Sequence, residues 1–285
     1  MSGYKNFAVV GAGKVGSFVL EEILEAKEDG AVDRVMILTR QESVSKESTQ
    51  KFVARGAEVV AVDYADKAAL KQVLIGVDAI VSTISLFALD PQATIAEAAF
   101  EAGVKLFVPS EYGGVTEGNE ALFAGKARLH AKLKEIGIPH LLVYTGPFAD
   151  YTWAQKVILA NSGNMVLDLD IEHGKVAVGG DGNSPITFTA RPDIARFLVY
   201  ALTKLPAERL ENNAYEKKTG KKLDVTYRPI PELEAAVADN PYDFASYLHL
   251  EWALGRGIVG LPDNELYPGW HPKTVIEILA HSHVG

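Results

Sequence analysis

Phe7-Ala8-Val9-Val10-Gly11-Ala12-Gly13-Lys14-Val15-Gly16-Ser17-Phe18-Val19 decides how the rest of the chain is read. Four apolar residues predict a strand buried on both faces. A G-x-G-x-x-G turn follows, and then apolar residues at helical spacing: Val15, Phe18, Val19 and Ile23. Strand, glycine turn and helix in that order are the context in which this motif binds a dinucleotide. Gly11 permits the tight turn, Gly13 lets a pyrophosphate approach the backbone, and Gly16 lets the helix lie close to the strand. The helix N-terminus then offers unpaired N–H groups and partial positive charge to phosphate. A P-loop is excluded, because no G-x-x-x-x-G-K-[ST] occurs.

Outward from this stretch, strands and helices alternate. Further strands are predicted at Arg34–Thr39, Glu58–Val62, Asp78–Thr83, Leu106–Val108 and His140–Tyr144, with helices such as Ala68–Leu74 and Gln92–Ala102 between them. Such alternation predicts an α/β fold, a doubly wound parallel sheet of Rossmann type, over residues 1–150. After about residue 150 the pattern changes. Residues 161–188 are rich in Gly, Asn and Asp with short β-prone runs, and Arg191–Leu205 reads as a helix with Ile194, Phe197, Leu198 and Ala201 on one face. We expect that helix to pack back on the first domain. Residues 151–190 and 206–285 would then form a smaller C-terminal α+β lobe for substrate.

Composition narrows the function. At 285 residues, 48% hydrophobic and 23% charged, the chain is long enough for a sizeable core without cross-links, and it has no cysteine. Thiol catalysis and cysteine-ligated metals are thereby excluded. A net charge of −9 disfavours non-specific nucleic-acid binding. The seven histidines show no metal-ligand spacing, so no metal site is expected. With no apolar stretch of membrane-spanning or leader length, the sequence predicts a cytoplasmic protein without membrane attachment.

The candidate site residues gather at the carboxyl ends of the predicted strands, where open α/β sheets hold ligands. They are Gly11, Ala12, Gly13, Lys14, Val15 and Gly16 after the first strand, Arg40 after the second and Asp63 after the third. Thr83 and Ser85 follow the fourth, Pro109-Ser110-Glu111-Tyr112-Gly113-Gly114 the fifth, and Gly146-Pro147-Phe148 the sixth. An acid at the end of the second strand would bind a ribose 2′-hydroxyl. Arg40 stands there instead and suits a 2′-phosphate, so NADP(H) is favoured over NAD(H). Lys126 falls in the series Leu122, Lys126, Leu129, Leu133, Ile136, which steps by four and three along a helix predicted over 119–136. It therefore lies on the inward face, while Arg128, Lys132 and Lys134 point elsewhere. An inward lysine must pair, lower its pKa or reach a cleft. A structural pairing with Glu111 is the alternative to a catalytic role. The residue four before Lys126 is Leu122, so the Tyr-x-x-x-Lys pair of ordinary short-chain dehydrogenases is missing.

The glycine motif, Ser82-Thr83, Gln92, Pro109-Ser110-Glu111-Tyr112-Gly113, Lys126 and Gly137-Ile138-Pro139 stand in an order that resembles the NmrA-like family of atypical short-chain dehydrogenases. Within it the chain resembles the isoflavone reductase and phenylcoumaran benzylic ether reductase branch. The similarity spans about residues 5–150 and continues more weakly through Asp193–Phe197. The resemblance implies NADPH, an aromatic small-molecule substrate, Lys126 as the catalytic lysine with Glu111 and Tyr112 beside it, Arg40 on the 2′-phosphate, and Gln92 and Phe148 bordering the cofactor. This chain departs from the branch in having Val10-Gly11-Ala12-Gly13 for Gly-Gly-Thr-Gly, and Tyr112 where Phe is frequent. The leading expectation is an NADPH-dependent reductase of an aromatic or alkaloid-like molecule. Two alternatives remain at this point. One is a non-redox step (condensation, cyclisation or isomerisation) on the same scaffold. The other is a redox-sensing regulator without turnover.

Overall fold

The computed structural model of the chain describes residues 4–85, 88–116, 123–152, 169–170, 175–203 and 224–257. Leu86, Phe87, Leu122, the start of the helix expected from 119, and His281 and His283 lie outside the described residues. The chain divides into two compact units. One comprises Met1–Glu111, Thr116–Val143 and Ile194–Pro206; the other comprises Tyr112–Val115, Tyr144–Asp193 and Ala207–Gly285.

The first unit is built on five parallel strands: β1 (Asn6–Val10), β2 (Arg34–Thr39), β3 (Glu58–Ala61), β4 (Ala79–Ser82) and β5 (Leu106–Val108), in the spatial order β3-β2-β1-β4-β5. The order reverses between β1 and β4, which is the switch point of a doubly wound sheet. Val10 pairs with Leu38 on one side and Ser82 on the other, so β1 is central and its residues Phe7–Val10 are all buried. Their continuous apolar run is what a strand covered on both faces requires. Helices α1 (Gly16–Glu28), α2 (Gln41–Val44), α3 (Glu47–Val53), α4 (Lys67–Val73), α5 (Pro91–Glu101) and α6 (Ala124–Ile136) fill the connections. Alternate strand residues Ala8, Val10, Met36, Leu38 and Ile80 share a core with Leu70, Leu74, Ile95, Ala99, Leu129 and Leu133. α1 buries Val19, Leu20, Ile23 and Leu24. Local signals set the ends: the Asp66 carboxylate caps α4 at the Ala69 N–H, Pro91 opens α5, and Gly137 closes α6 with φ +77°.

One expected strand is not formed, one loop holds short helices, and one helix is described over fewer residues than expected. The stretch 140–144 is no ladder strand. Leu141 N–H donates to Phe107 O and Phe107 N–H to Pro139 O, and the pairing ends there as a single bridge at His140. β5 is three residues long because Pro109 follows it without an N–H to continue a ladder. The loop 41–53, unassigned from sequence, holds the short helices α2 and α3. The helix containing Lys126 is described from Ala124 rather than 119.

At the opposite edge of the sheet, Asp78 ties three strands together. Its Oδ2 accepts the Lys5 and Asn6 N–H groups, each at 2.9 Å, and its Oδ1 accepts from Lys105 Nζ at 2.5 Å. Burial alone would raise its pKa, but the Lys105 contact and the two backbone donors outweigh that and hold it below the ordinary aspartate range. A depressed carboxylate pKa stabilises the fold above the unfolded-state value and loses that contribution as pH falls through the folded one. Asp78→Ala is expected to cost roughly 1–3 kcal/mol for each buried donor it orphans, read by urea unfolding at neutral pH. The gap to wild type should close below about pH 3.8, the ordinary value.

The second unit contains α7 (Ala149–Thr152), a three-stranded sheet of β6 (Leu169–Asp170), β7 (Lys175–Gly179) and β8 (Asp224–Arg228), and helices α9 (Ile230–Asp239) and α10 (Phe244–Ala253). β7 pairs antiparallel with β6 and parallel with β8, so the sheet is mixed. The strand β8 falls in the part of the expected α+β lobe for which no particular strand was predicted. α10 lies against β7 so closely that a Cβ on Gly179 would stand 2.3 Å from His249 O. Phe188, Phe244 and Leu248 pack on Trp252. α8 (Arg191–Thr203) begins in this unit, and from Ile194 onward its residues belong to the first. Its buried face is Ile194, Ala195, Leu198, Val199 and Leu202, while Phe197 and Ala201 are only partly buried. None of the helices among the described residues is long and apolar enough to cross a membrane.

Candidate active site

In the first unit the carboxyl ends of the five strands lie on one edge, and the expected residues follow directly from them. Gly11 comes after β1, Arg40 after β2, Asp63 two residues past β3, Thr83 after β4 and Pro109 after β5. Gly13, Lys14, Arg40, Asp63 and Ser85 are exposed there, with Gly11, Ala12 and Thr83 half-buried and Val15 and Gly16 buried.

The three glycines of the turn do different things. Gly11 has φ +89°, a conformation that favours glycine. A Cβ on Gly16 would stand 2.2 Å from Gly11 O and 2.4 Å from Thr83 Oγ1, so only glycine lets α1 begin this close to β1. A Cβ on Gly13 would meet nothing within 4 Å, so its backbone faces open space. Thr83 Oγ1 lies 2.9 Å from Val10 O and 3.0 Å from Gly11 O and pins the turn to β4. No side chain caps the N-terminus of α1. Arg40 Nε pairs with Glu42 Oε1 at 3.1 Å, both groups being largely exposed.

The loop after β5 is tied down from two sides. Gln92 Oε1 accepts the Ser110 N–H at 2.8 Å, and Ser110 Oγ donates to Ile84 O at 2.7 Å. Gln92 is fully buried, and its Nε2 has no hydrogen-bond partner. Gln92 thus holds the Ser110 loop through its oxygen.

Glu111, the next residue, is the centre of a buried polar cluster. Its Oε2 accepts from Thr116 Oγ1 at 2.9 Å and stands 3.3 Å from Lys126 Nζ; its Oε1 stands 2.8 Å from His130 Nε2. Lys126 Nζ also donates to the Glu111 carbonyl oxygen and lies 5.2 Å from the Phe123 ring centroid. The side chains of Glu111, Lys126 and His130 are 0%, 5% and 7% exposed. α6 accounts for the convergence: Lys126, Leu129, His130 and Leu133 form its buried face. Burial pushes the Lys126 ammonium below the ordinary lysine range, and the Glu111 carboxylate opposes this without cancelling it. Burial by itself would raise Glu111, but the His130 hydrogen bond, the Lys126 charge and Thr116 together hold it low. A buried amine of lowered pKa beside a carboxylate held in its charged form can give or take a proton.

The structure therefore brings Lys126 and Glu111 together and adds two residues the sequence reading passed over, Thr116 and His130. His130 had a signal: it stands four residues after Lys126 and shares its helix face. Thr116 had none. Tyr112, Gly146, Pro147 and Phe148 belong to the second unit. Tyr112 is buried with φ +34°, an uncommon conformation for a side-chain-bearing residue, of the kind found at functional loops. The N–H groups of Thr145 and Gly146 both donate to Gly113 O. Gly146, at φ +63°, has the Thr187 carbonyl where a Cβ would be, so it serves close backbone packing. Pro147 O accepts from Thr189 N–H, and Phe148 bridges to Thr189.

A switch-point glycine turn with a buried lysine–carboxylate cluster on the same scaffold defines a dinucleotide-type α/β protein with acid–base groups. The chain belongs to the NmrA-like family, whose model matches residues 4–251. A phenylcoumaran benzylic ether reductase of Pyrus communis is 30% identical over 307 residues, covering 94% of this chain and 95% of that one. Another from Pinus taeda is 29% identical, covering 86% and 89%. An Aspergillus novofumigatus asnovolin J 5′,6′-dehydrogenase is 31% identical over 68% of this chain and 58% of its own length. The binary complex of Vitis vinifera leucoanthocyanidin reductase with NADPH superposes with a TM-score of 0.77 at 22% identity, covering 97% and 99%, and so shares the fold.

Proposed function

We propose that the protein is an NADPH-dependent reductase of an aromatic or alkaloid-like small molecule, with Lys126 as general acid/base. The observation that carries this reading is the Glu111–Lys126 cluster, which sets a buried amine of lowered pKa beside an ionised carboxylate. The residues suited to the dinucleotide are the open backbone at Gly13, the uncapped start of α1 and Arg40 at the end of β2. When bound, NADPH supplies the hydride; the chain's own groups orient it and manage the proton. The first unit would hold the cofactor, with Gly146, Pro147 and Phe148 also proposed as cofactor residues and Tyr112 as a catalytic one; residues 151–190 and 206–285 would hold the substrate. The relatives' names favour the redox reading over a condensation or isomerisation, since reductases and a dehydrogenase all change oxidation state. The ionised, enclosed lysine cluster favours an enzyme over a regulator.

Calorimetric titration of NADPH and NADH into the protein tests the cofactor. Arg40→Ala is expected to weaken NADPH by the loss of a charge-assisted contact of roughly 1.5–3 kcal/mol, or about 10- to 150-fold, and to leave NADH nearly unchanged. Equal loss for both cofactors would place Arg40 on the adenine or in solvent. Turnover is tested by incubating NADPH with isoflavones and benzylic ethers and following its absorbance. Loss stoichiometric with product supports the reductase; product without loss selects the non-redox step.

A further inference from the structure

Glu111 carries more hydrogen bonding than a simple lysine counter-ion needs. One carboxylate oxygen faces Lys126 at 3.3 Å and Thr116 at 2.9 Å, and the other faces His130 at 2.8 Å. The side chains of Glu111, Lys126 and His130 are nearly sealed from solvent and Thr116 is buried as well, so an oxygen of Glu111 that lost its donor could not turn to water. Lysine is a flexible four-carbon stem that gives up rotamer freedom when fixed. Its head group is held only where its acceptors, the Glu111 carbonyl and Oε2, are themselves held.

We propose that His130 is a positioning residue for Lys126, acting through Glu111: its Nε2–H fixes Oε1, which sets the carboxylate plane so that Oε2 and the Glu111 carbonyl both meet the ammonium. His130 Nε2 meets the Glu111 Oε1, while Lys126 meets Oε2 and the Glu111 carbonyl. The two basic residues are four apart on one helix, so a single backbone element fixes their separation and both meet the same carboxylate. A carboxylate oxygen can only accept, so Nε2 is the ring nitrogen that donates in this contact. This inference rests on the reading of Lys126 as the acid/base group.

The test compares full-length His130→Leu, His130→Gln, Thr116→Val and Lys126→Met. Readouts are kcat, KM for NADPH, melting temperature and the Lys126 15Nζ resonance, assigned by its absence from Lys126→Met. Glutamine offers an amide N–H to Oε1 and cannot titrate. We expect His130→Leu to lower kcat roughly 10- to 100-fold, the scale of loss when a catalytic group is displaced by about 1 Å. KM for NADPH should hold, and the 15Nζ signal should broaden. His130→Gln should recover most of both. Should His130→Leu fail to fold, Thr116→Val loosens Oε2 instead and is expected to lower kcat in the same way by a smaller factor. Unchanged kcat in the variants that fold, or a Gln variant as impaired as the Leu variant, overturns the proposal. Full activity in Lys126→Met overturns the underlying reading as well. An inactive Lys126→Met beside an active His130→Leu overturns this inference alone.

Discussion

Lys126→Met is expected to lower turnover by roughly 10²–10⁴-fold, the usual worth of positioned proton transfer, while dinucleotide affinity changes little. Methionine keeps most of the length and the apolar stem and removes the charge and the donors. The expectation rests on the place of the amine: 5% exposed, turned to the Glu111 carbonyl, and 3.3 Å from its carboxylate. The substitution also leaves the Glu111 carboxylate without its ion-pair partner, so some stability is lost; breaking a buried pair from one side is generally unfavourable. A melting curve at the assay temperature separates that loss from catalysis. Lys134→Met is the control, because Lys134 is exposed on the other face of α6. Lys132, though also off the buried face, is a poorer control: it pairs with Glu97 and Glu135 and helps link α6 to α5. Activity retained in Lys126→Met would make the lysine a packing residue.

The second large effect concerns Gly13 and Gly16, which the motif treats alike and the structure separates. Gly13→Val is expected to abolish dinucleotide binding without unfolding the protein. The side chain enters open space, so nothing in the fold resists it, yet it occupies the backbone approach that a pyrophosphate needs. Forfeiting one or two charge-assisted N–H contacts of roughly 1.5–3 kcal/mol each weakens binding by about 10- to 10⁴-fold. Gly16→Ala is expected to do the reverse in sequence of cause: its Cβ collides with Gly11 O and Thr83 Oγ1, so the turn must move and stability falls first. Paired melting and titration experiments on both variants distinguish the two roles. Normal NADPH binding by Gly13→Val would move the cofactor off this loop.

The sheet was legible because its central strands are short apolar runs buried on both faces, β1 and β4 above all. β2 and β5 begin and end where the sequence places them. The run His140–Tyr144 has the same composition and misled for that reason: pairing depends on the partner, and Pro109 ends the partner after Val108. Inward Lys126 was legible from its four-and-three spacing alone. His130 and Thr116 were not, because a histidine between leucine and alanine and a threonine in a loop carry no period. What marks them is Glu111, and only the fold shows that Glu111 points at the helix. The second unit was least legible. β8 lies nearly fifty residues after β7, and a parallel pairing at such separation leaves no local trace. Family membership adds relatives named as reductases and a dehydrogenase.

The most direct test of the reductase is isotopic. The protein is incubated with NADPH deuterated at nicotinamide C4 and a set of isoflavone and benzylic-ether substrates, and any product is analysed by mass spectrometry. Label from one C4 face only, in amount equal to the NADPH consumed, is the predicted result, and Lys126→Met should transfer it far more slowly. Product formed without label, with NADPH left intact, would contradict the account and assign the Glu111–Lys126 cluster to a non-redox reaction.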